Sequence, residues 1–194
     1  MNSLKTAANH TDISNMVIDE ANCTVTLTDP QMKLDVGAVA KGYATEQVAL
    51  YLEKKGVTGY VLNVGGNVRT IGTKPDGTKW NVGIENPDGA EHLAYLKLSG
   101  ESVVTSGSYQ RFYYVEGKAY HHIIDPDTLM PAKGYLSVSV VCNNSGLGDA
   151  LSTALFCLSK EDGIKLIEKV PEAEAMWVTD EGEKFYSSGF EKYK

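Results

Sequence analysis

The chain has 194 residues, of which 42% are hydrophobic and 22% charged, and its formal net charge is −7. This length and composition are ordinary for a globular protein of one domain, with or without appendages. The acidic balance argues against a general nucleic-acid binder, because contacts to a phosphate backbone need a basic surface. Any phosphate must therefore be bound locally, by a few donors and a metal ion. No apolar run is long enough to span a membrane, and the three cysteines have no metal-ligand spacing.

The first third of the chain predicts one strand and one helix. Residues 1–15 are polar and lack periodicity, so we expect a ragged or disordered N-terminus. Residues 23–27 alternate between polar and apolar side chains, which predicts a strand. A turn rich in small residues follows at 35–40. Apolar residues at helical spacing then predict a helix over 44–52, and Gly56 is typical of the position just past a helix end.

The rest of the chain predicts a series of short strands and two further helices. We expect strands over residues 60–64, 68–71, 80–84, 93–98, 102–105, 111–115, 120–124, 136–142, 175–178 and 184–187. The pattern predicts that 60–64 is buried and that 68–71 pairs with 80–84 across a Pro-Asp-Gly turn. Helices are predicted over 147–158 and 160–169. The excess of strand over helix indicates an α+β fold, a largely antiparallel sheet with packed helices.

Two segments each have the residue types of half a metal and phosphate site. Residues 34–44 form a small-residue turn that opens a helix and includes Lys41. Residues 148–155 place Asp149 and Thr153 one helical turn apart, so their side chains share a face. Small residues let backbone approach a phosphate, and carboxylate and hydroxyl oxygens suit a hard cation. The combination indicates a magnesium-dependent enzyme that acts on a pyrophosphate-containing nucleotide.

Each of these side chains also has an ordinary structural interpretation. Asp149 can complement the positive end of its helix, and Thr153 can pack or bond back to the helix backbone. Without further information, the sequence favours that interpretation for both. Lys41 can be a solvated lysine, although the small residues around it favour a phosphate contact.

Six segments in this order resemble the FAD:protein FMN transferase family, the ApbE-type flavin transferases once called thiamine-biosynthesis lipoproteins. The segments are residues 35–44, 63–68, 80–84, 105–112, 122–126 and 149–155. The chain departs from the family pattern at Asn67, where Asp is common, and at Leu129, where Gly is usual. Only 34 residues precede Asp35, fewer than in the family. We therefore expect the C-terminal portion of a longer protein, with 16–194 as a flavin transferase domain lacking the family's N-terminal region.

The resemblance implies an ApbE-like, T-fold-like architecture and a specific reaction. FMN would be transferred from FAD to a threonine or serine hydroxyl of a target redox protein subunit, with release of AMP and with Mg²⁺ as cofactor. The location would be extracytoplasmic, with a lipid anchor to the membrane in the full-length form. Two alternatives stay open: a magnesium-dependent FAD pyrophosphatase that yields FMN and AMP, and a non-catalytic flavin-binding fragment.

The resemblance also assigns the metal and phosphate contacts. It implies Asp149 and Thr153 as magnesium ligands, with the backbone carbonyl of Ala38 as a third, and so reverses the structural interpretation of the two side chains. Lys41 would contact FAD. Arg111 can pair with a phosphate or with an internal acid.

Further residues are assigned around the predicted strand at 120–124. His122 is implied as a functional residue, for proton transfer or for orienting the phosphate, and a satisfied half-buried histidine is the alternative. The strand period predicts that His121 points to the opposite face. Ile124 would pack against the cofactor or be plain core, and Ser106 and Gly107 would present a hydroxyl and amides or form a plain turn. The base for the incoming hydroxyl would be Asp149 or His122.

Overall fold

The structure is a computed structural model that describes residues 2–87, 89 and 91–194. The helices are α1 (Asn2–Ala8), α2 (Ala40–Lys54), α3 (Ser145–Cys157) and α4 (Lys160–Ile167). The first strands are β1 (Met16–Asp19), β2 (Thr24–Leu27), β3 (Gly59–Val64), β4 (Asn67–Gly72), β5 (Trp80–Ile84), β6 (Ala94–Leu98) and β7 (Ser102–Gly107). The remaining strands are β8 (Phe112–Val115), β9 (Lys118–His121), β10 (Ile124–Asp125), β11 (Met130–Pro131), β12 (Tyr135–Cys142), β13 (Glu174–Thr179) and β14 (Lys184–Tyr186).

A six-stranded sheet with the order β14-β13-β12-β7-β4-β3 organises the fold. Each neighbouring pair in it is antiparallel, which confirms the predicted α+β class. Strand β12 lies inside the sheet, between β13 and β7. Its residues are almost all buried, as expected for a strand covered on both faces. The pairs β1-β2, β5-β6, β8-β9 and β10-β11 form separate two-stranded sheets.

Alternate residues of β12 belong to two different hydrophobic clusters, so the sheet has a layer on each face. Val138 and Val140 pack in one cluster with Leu155 of α3. Val141 packs in the other cluster with Leu96 of β6 and Phe190, which begins the C-terminal 3₁₀ helix Phe190–Tyr193. Because successive side chains of a strand point to opposite faces, one strand holds both layers together.

Strand β4 pairs with β3 and β7, so the predicted pairing of 68–71 with 80–84 is wrong. Strand β5 pairs with β6 instead. The reason lies in the turn after β3, where Gly65 and Gly66 have φ of +57° and +85°. Two left-handed residues in a two-residue loop fold a strand back on itself. Strand β3 is then the edge of the sheet and largely exposed, not buried as predicted.

Residues 2–8 form helix α1, where the sequence pattern indicated no regular structure; Met1 lies outside the described residues. Alanine, leucine and lysine favour a helix locally, yet no residue of α1 is buried. The assignment of 16–194 as the transferase domain stays a prediction.

Leu129, where the family usually has Gly, has a φ of +57°, a conformation that suits glycine better than leucine.

No helix in the described ranges combines the length and the apolar character that crossing a bilayer requires.

Candidate active site

The N-terminal ends of α2 and α3 meet at the centre of the site. Gly42, in the first turn of α2, lies against the first residues of α3, and a Cβ there would come within 2.6 Å of the Asp149 Cβ and 2.9 Å of the Gly146 Cα. It would also collide with the Ser145 carbonyl oxygen. Only glycine allows this approach, and the approach brings the two sequence segments of the predicted site together.

Asp149 connects the two helices through its carboxylate. Its Oδ2 accepts a hydrogen bond of 2.8 Å from the Gly42 backbone N–H, and its Oδ1 lies 3.4 Å from Lys41 Nζ. The side chain is almost fully buried. Helix α2 has no side-chain cap of its own, so Asp149 satisfies an amide that would otherwise lack a partner. The N-terminus of α3 is capped by Asn144, which accepts from Leu147 N–H at 2.9 Å.

Three hydroxyl groups lie beside Asp149. Those of Ser152 and Thr153 are about one turn further along α3, and that of Ser106 is at the end of β7. Ser106 Oγ is 2.8 Å from Ser152 Oγ and 3.2 Å from Thr153 Oγ1. Thr153 also has a long contact of 3.4 Å to the Asp149 carbonyl oxygen, which is the back-bonding geometry considered from the sequence. The contact is too long to hold this hydroxyl firmly. The hydroxyl oxygen of Thr153 therefore keeps a lone pair that could bind a metal ion in the cavity.

A buried ion pair supports the same helix ends. Glu46 Oε2 accepts a hydrogen bond of 2.7 Å from the Ser145 N–H and lies 3.2 Å from Arg69 Nε. Arg69 also donates to the carbonyl oxygens of Thr70 and Gly100. Sequence analysis missed this pair, because Glu46 and Arg69 are far apart along the chain and belong to no metal or phosphate motif.

Asn67 adds a neutral contact to this support. It occupies the position where Asp is common in the resembling family and is buried beside the start of α3. Its Oδ1 accepts a hydrogen bond from the Ser145 hydroxyl. A hydroxyl donor suits the amide oxygen, whereas Nδ2 of Asn67 is buried and has no hydrogen-bond partner among the described residues.

A cavity of about 540 Å³ opens over these groups. The sequence-predicted site residues that line it are Ala38, Lys41, Ser106, Gly107, His122, Asp149 and Thr153. Arg111 lines the cavity as well. Asp125, an acid in the same segment as His122, accepts hydrogen bonds from the N–H groups of Asp127 and Thr128 and so ends its strand in a turn. Lys41 and Arg111 give this cavity two cationic side chains, and Asp35 and Asp149 give it two carboxylates. An anionic ligand is therefore favoured beside the two cations or through a cation held by a carboxylate.

Ile124 is placed differently from the other predicted residues. Its neighbour Ile123 lines the cavity and Ile124 does not; Ile124 is half-exposed. The sequence treats 120–124 as one strand, but β9 ends at His121 and β10 begins at Ile124. The alternation of side chains is interrupted at that point, which reverses which isoleucine faces the cavity. The role of Ile124 as a flavin contact stays a prediction.

The two histidines of this segment have different surroundings, and His122 lies just past the end of β9, outside any strand. His121 is part-buried, lies 2.9 Å from the Ala132 carbonyl oxygen through Nε2 and packs edge-on against Phe156. His122 is exposed and lies on the cavity, with Nδ1 3.2 Å from the Arg111 carbonyl oxygen. A carbonyl oxygen only accepts, so Nδ1 carries the proton and Nε2 of the neutral ring is the acceptor.

Three further cavity residues were not singled out from the sequence. Asp35, Thr105 and Gln110 line the same space. Asp35 Oδ1 accepts from the Gly37 N–H at 2.7 Å and so shapes the small-residue turn. The only sequence signal was their position inside or next to the quoted segments, since Thr105 and Gln110 flank Ser106 and Gly107.

The donor set is compatible with a magnesium ion. In the described part of the chain, no three His, Cys, Asp or Glu side chains form a metal-binding group. A cation here would instead take one carboxylate from Asp149, the hydroxyl of Thr153 and a carbonyl oxygen of the turn at Ala38, all of which line one cavity. Mg²⁺ prefers oxygen ligands and commonly uses one or two carboxylates together with water and substrate phosphates.

Comparison with known proteins agrees with the sequence resemblance. The sequence profile of the ApbE family matches residues 1–177. The chain belongs to the ApbE family. Among curated relatives, the FAD:protein FMN transferase of Klebsiella pneumoniae is 38% identical over 167 residues, covering 84% of this chain and 51% of the relative. The enzyme of the same name from Treponema pallidum is 37% identical, covering 80% of this chain and 46% of the relative.

Solved structures of the family have the same fold. The crystal structure of the ApbE protein of Thermotoga maritima superposes with a TM-score of 0.87 at 33% identity, covering 99% of this chain and 63% of that one. The flavin transferase ApbE of Vibrio cholerae gives a TM-score of 0.84 at 28% identity, with coverage of 100% and 62%. The ApbE-like architecture is therefore confirmed. The chain spans about half the length of the curated relatives it matches.

Proposed function

We propose that this chain carries the phosphate and metal part of an active site that transfers FMN from FAD to a hydroxyl group of a target protein. The observation that carries the proposal is the convergence of Lys41, His122, Asp149 and Thr153 on one cavity at the meeting point of two helix ends. The relatives named FAD:protein FMN transferase support the same chemistry. FAD is the substrate, and its diphosphate fits a cavity with local positive charge.

The chain's own residues would position and neutralise the diphosphate. Lys41 and Arg111 supply cationic side chains on the cavity wall. Asp149, Thr153 and the carbonyl of Ala38 would hold Mg²⁺. When bound, this ion would neutralise charge on the diphosphate. Such positioning and charge neutralisation account for most of the catalysis in phosphoryl-type transfer.

The reaction needs a base for the incoming hydroxyl. Asp149 already accepts from the Gly42 N–H and faces Lys41, whereas Nε2 of His122 has no hydrogen bond to any described residue. We therefore favour His122 over Asp149. The hydroxyl oxygen would attack the phosphorus on the FMN side, and a new P–O bond would form. The hydroxyl proton would pass to His122, and AMP would leave with the electron pair of the broken P–O bond.

The acceptor and the location belong to the same proposal. We propose that the target is a redox protein subunit with an acceptor threonine or serine. We also propose that the enzyme acts outside the cytoplasm and that a lipid anchor holds its full-length form at the membrane. Fractionation of cells into cytoplasm, periplasm and membrane, with antibodies to this chain, tests the location. Recovery in the cytoplasm alone would contradict it.

The transfer is tested by incubating the chain with FAD and Mg²⁺, with and without an acceptor domain that bears one threonine. AMP release and the mass of the acceptor domain are measured. We expect AMP to appear together with an acceptor that carries covalent FMN. AMP without a labelled acceptor would identify a pyrophosphatase. Binding of FAD with neither product would identify a flavin-binding fragment without catalysis.

A further inference from the structure

A second cavity of about 390 Å³ adjoins the first one. It lies between the β3–β4 turn, the β5–β6 sheet and the segment that follows β7. The residues that matter here are Asn63, Glu85, His92, Thr105, Tyr109 and Gln110. We call it the acceptor cleft.

The two cavities share a wall. Thr105 and Gln110 line both of them. Thr105 is fixed by a hydrogen bond of 2.8 Å between its hydroxyl and that of Ser139. The ring of Tyr109 lies against Gly107, where a Cβ would come within 2.5 Å of the ring carbon Cε1. Thr105 and Gln110 thus place the acceptor cleft directly beside the first cavity, which we call the diphosphate cavity.

The charges of the two cavities differ. The described lining of the acceptor cleft contains the carboxylate of Glu85 and neither lysine nor arginine. The diphosphate cavity contains Lys41 and Arg111 together with the carboxylates of Asp35 and Asp149, so of the two described linings only this one offers cations to a phosphate. A carboxylate without a cation repels the phosphate-linked parts of a dinucleotide. The cleft therefore favours a neutral or basic ligand.

The polar groups of the acceptor cleft suit a polypeptide backbone. Asn63 and Gln110 have side-chain amides, which both donate and accept. The Tyr109 hydroxyl is buried and has no well-formed hydrogen bond within the part of the chain described, although the Gln110 side chain lies near it. Burial and the nearby charge of Glu85 raise the pKa of Tyr109, so the hydroxyl stays protonated and can donate to a carbonyl oxygen.

We propose that the acceptor cleft binds the segment of the target protein that carries the threonine or serine hydroxyl. This inference rests on the proposed transfer reaction. Glu85 would accept from a peptide N–H or a basic side chain, Tyr109 would donate to a carbonyl, and the hydroxyl would enter the diphosphate cavity past Thr105. Recognition of the acceptor and recognition of FAD would then use different walls of one continuous space.

The test uses Glu85→Arg with Glu91→Arg as its matched control. Both residues are exposed, lie between β5 and β6 and change charge equally, but only Glu85 lines the cleft. The probe is an acceptor domain of a redox subunit in which the acceptor threonine is replaced by valine, so that it binds without reacting. Its affinity is measured by isothermal titration, and FAD affinity by quenching of flavin fluorescence.

We expect Glu85→Arg to weaken acceptor binding by about tenfold or more and to leave FAD affinity within about twofold. Glu91→Arg should change neither. Equal acceptor affinity in both variants, or no binding of the acceptor by the wild-type chain, would overturn the proposal. A parallel loss of FAD affinity in Glu85→Arg would also overturn it, because the cleft would then belong to the flavin nucleotide.

A second variant covers the case in which Glu85→Arg does not fold. Tyr109→Phe keeps the ring against Gly107 and removes the hydroxyl. Acceptor binding should weaken several-fold, and unchanged affinity would contradict the inference. Because these readouts need no turnover, they separate the two proposals. Acceptor binding that depends on Glu85, without AMP release, would contradict the proposed transfer reaction alone. Transfer that is insensitive to Glu85 would contradict the proposed role of the cleft alone.

Discussion

Asp149 on α3 accepts a 2.8 Å hydrogen bond from the backbone N–H of Gly42 on α2. The reverse contact exists one turn away, where Glu46 of α2 accepts from the Ser145 N–H of α3 at 2.7 Å. Each helix therefore supplies a carboxylate for the N-terminal amides of the other, and the partial positive charges of both ends are compensated. The proposed metal ligand Asp149 is part of this reciprocal capping, so metal binding and helix docking depend on the same side chain.

Gly42→Ala should destabilise the protein by about 1–3 kcal/mol, because the new methyl group meets backbone atoms of α3 that cannot rotate away. Urea unfolding followed by circular dichroism measures the effect. Gly163→Ala is the control, since its Cβ would lie 3.5 Å or more from its neighbours inside α4. Alanine there should be neutral or stabilise by up to about 1 kcal/mol. Equal effects of the two substitutions would refute the close-approach argument.

Asp149→Asn and Asp149→Ala separate the two functions of this side chain. Asparagine can still accept from Gly42, whereas alanine leaves that buried N–H without a partner, at a cost of about 1–3 kcal/mol. Both variants lose the carboxylate, so magnesium-dependent AMP release should fall by about a hundredfold or more. Unfolding curves and magnesium titrations of FAD turnover distinguish the effects. If the Asn variant were inactive only because it fails to fold, Asp149 would be structural.

Lys41→Met should weaken FAD binding by about tenfold while the fold is kept. The Lys41–Asp149 contact is 3.4 Å and the lysine is partly exposed, so the ion pair itself contributes little to stability. Flavin fluorescence titration measures the affinity. Lys54→Met, in the last turn of α2, is the control and should bind FAD as the wild type does. Indistinguishable affinities for the two variants would show that Lys41 does not contact the diphosphate.

Glu46→Ala should cost about 3–5 kcal/mol, because it removes the buried carboxylate that faces the Arg69 guanidinium and leaves the Ser145 N–H unsatisfied. The matched control is Glu53→Ala. Glu53 lies 3.6 Å from the same arginine but is more than a third exposed, and its removal should cost below about 1 kcal/mol. Urea unfolding of the two variants checks the difference, and similar costs would mean that burial does not decide the strength of this pair.

Alkylation should distinguish the cysteines. Burial raises the pKa of the Cys142 thiol, and Cys23 is exposed. At about pH 8 iodoacetamide should modify Cys23 first and Cys142 only after denaturation, since the thiolate is the reactive form. Because the pKa is higher in the folded than in the unfolded state, folding favours the neutral thiol. Its contribution to stability is complete below the unfolded pKa of about 8.5 and is lost as pH rises through the higher folded pKa. Mass spectrometry of peptides follows the labelling, and rapid modification of Cys142 in the folded protein would contradict its burial.

Several features followed from local sequence patterns. Asp149 and Thr153 share a face because helical spacing fixes it. The strands predicted over 111–115 and 136–142 are present as β8 and β12. Each of these depends on residues that are close along the chain.

The sequence by itself determined the fold class and the family and supplied the candidate site residues, since periodicity, turn chemistry and the order of motifs can be read along the chain. Only the tertiary structure decided that β4 pairs with β7, that Glu46 neutralises Arg69, and that Asp149 caps α2 rather than its own helix. These contacts join residues between 23 and 107 positions apart along the chain. Burial and shape select such partners, because a carboxylate removed from water must find whichever N–H or cation the packing of the helices brings to it.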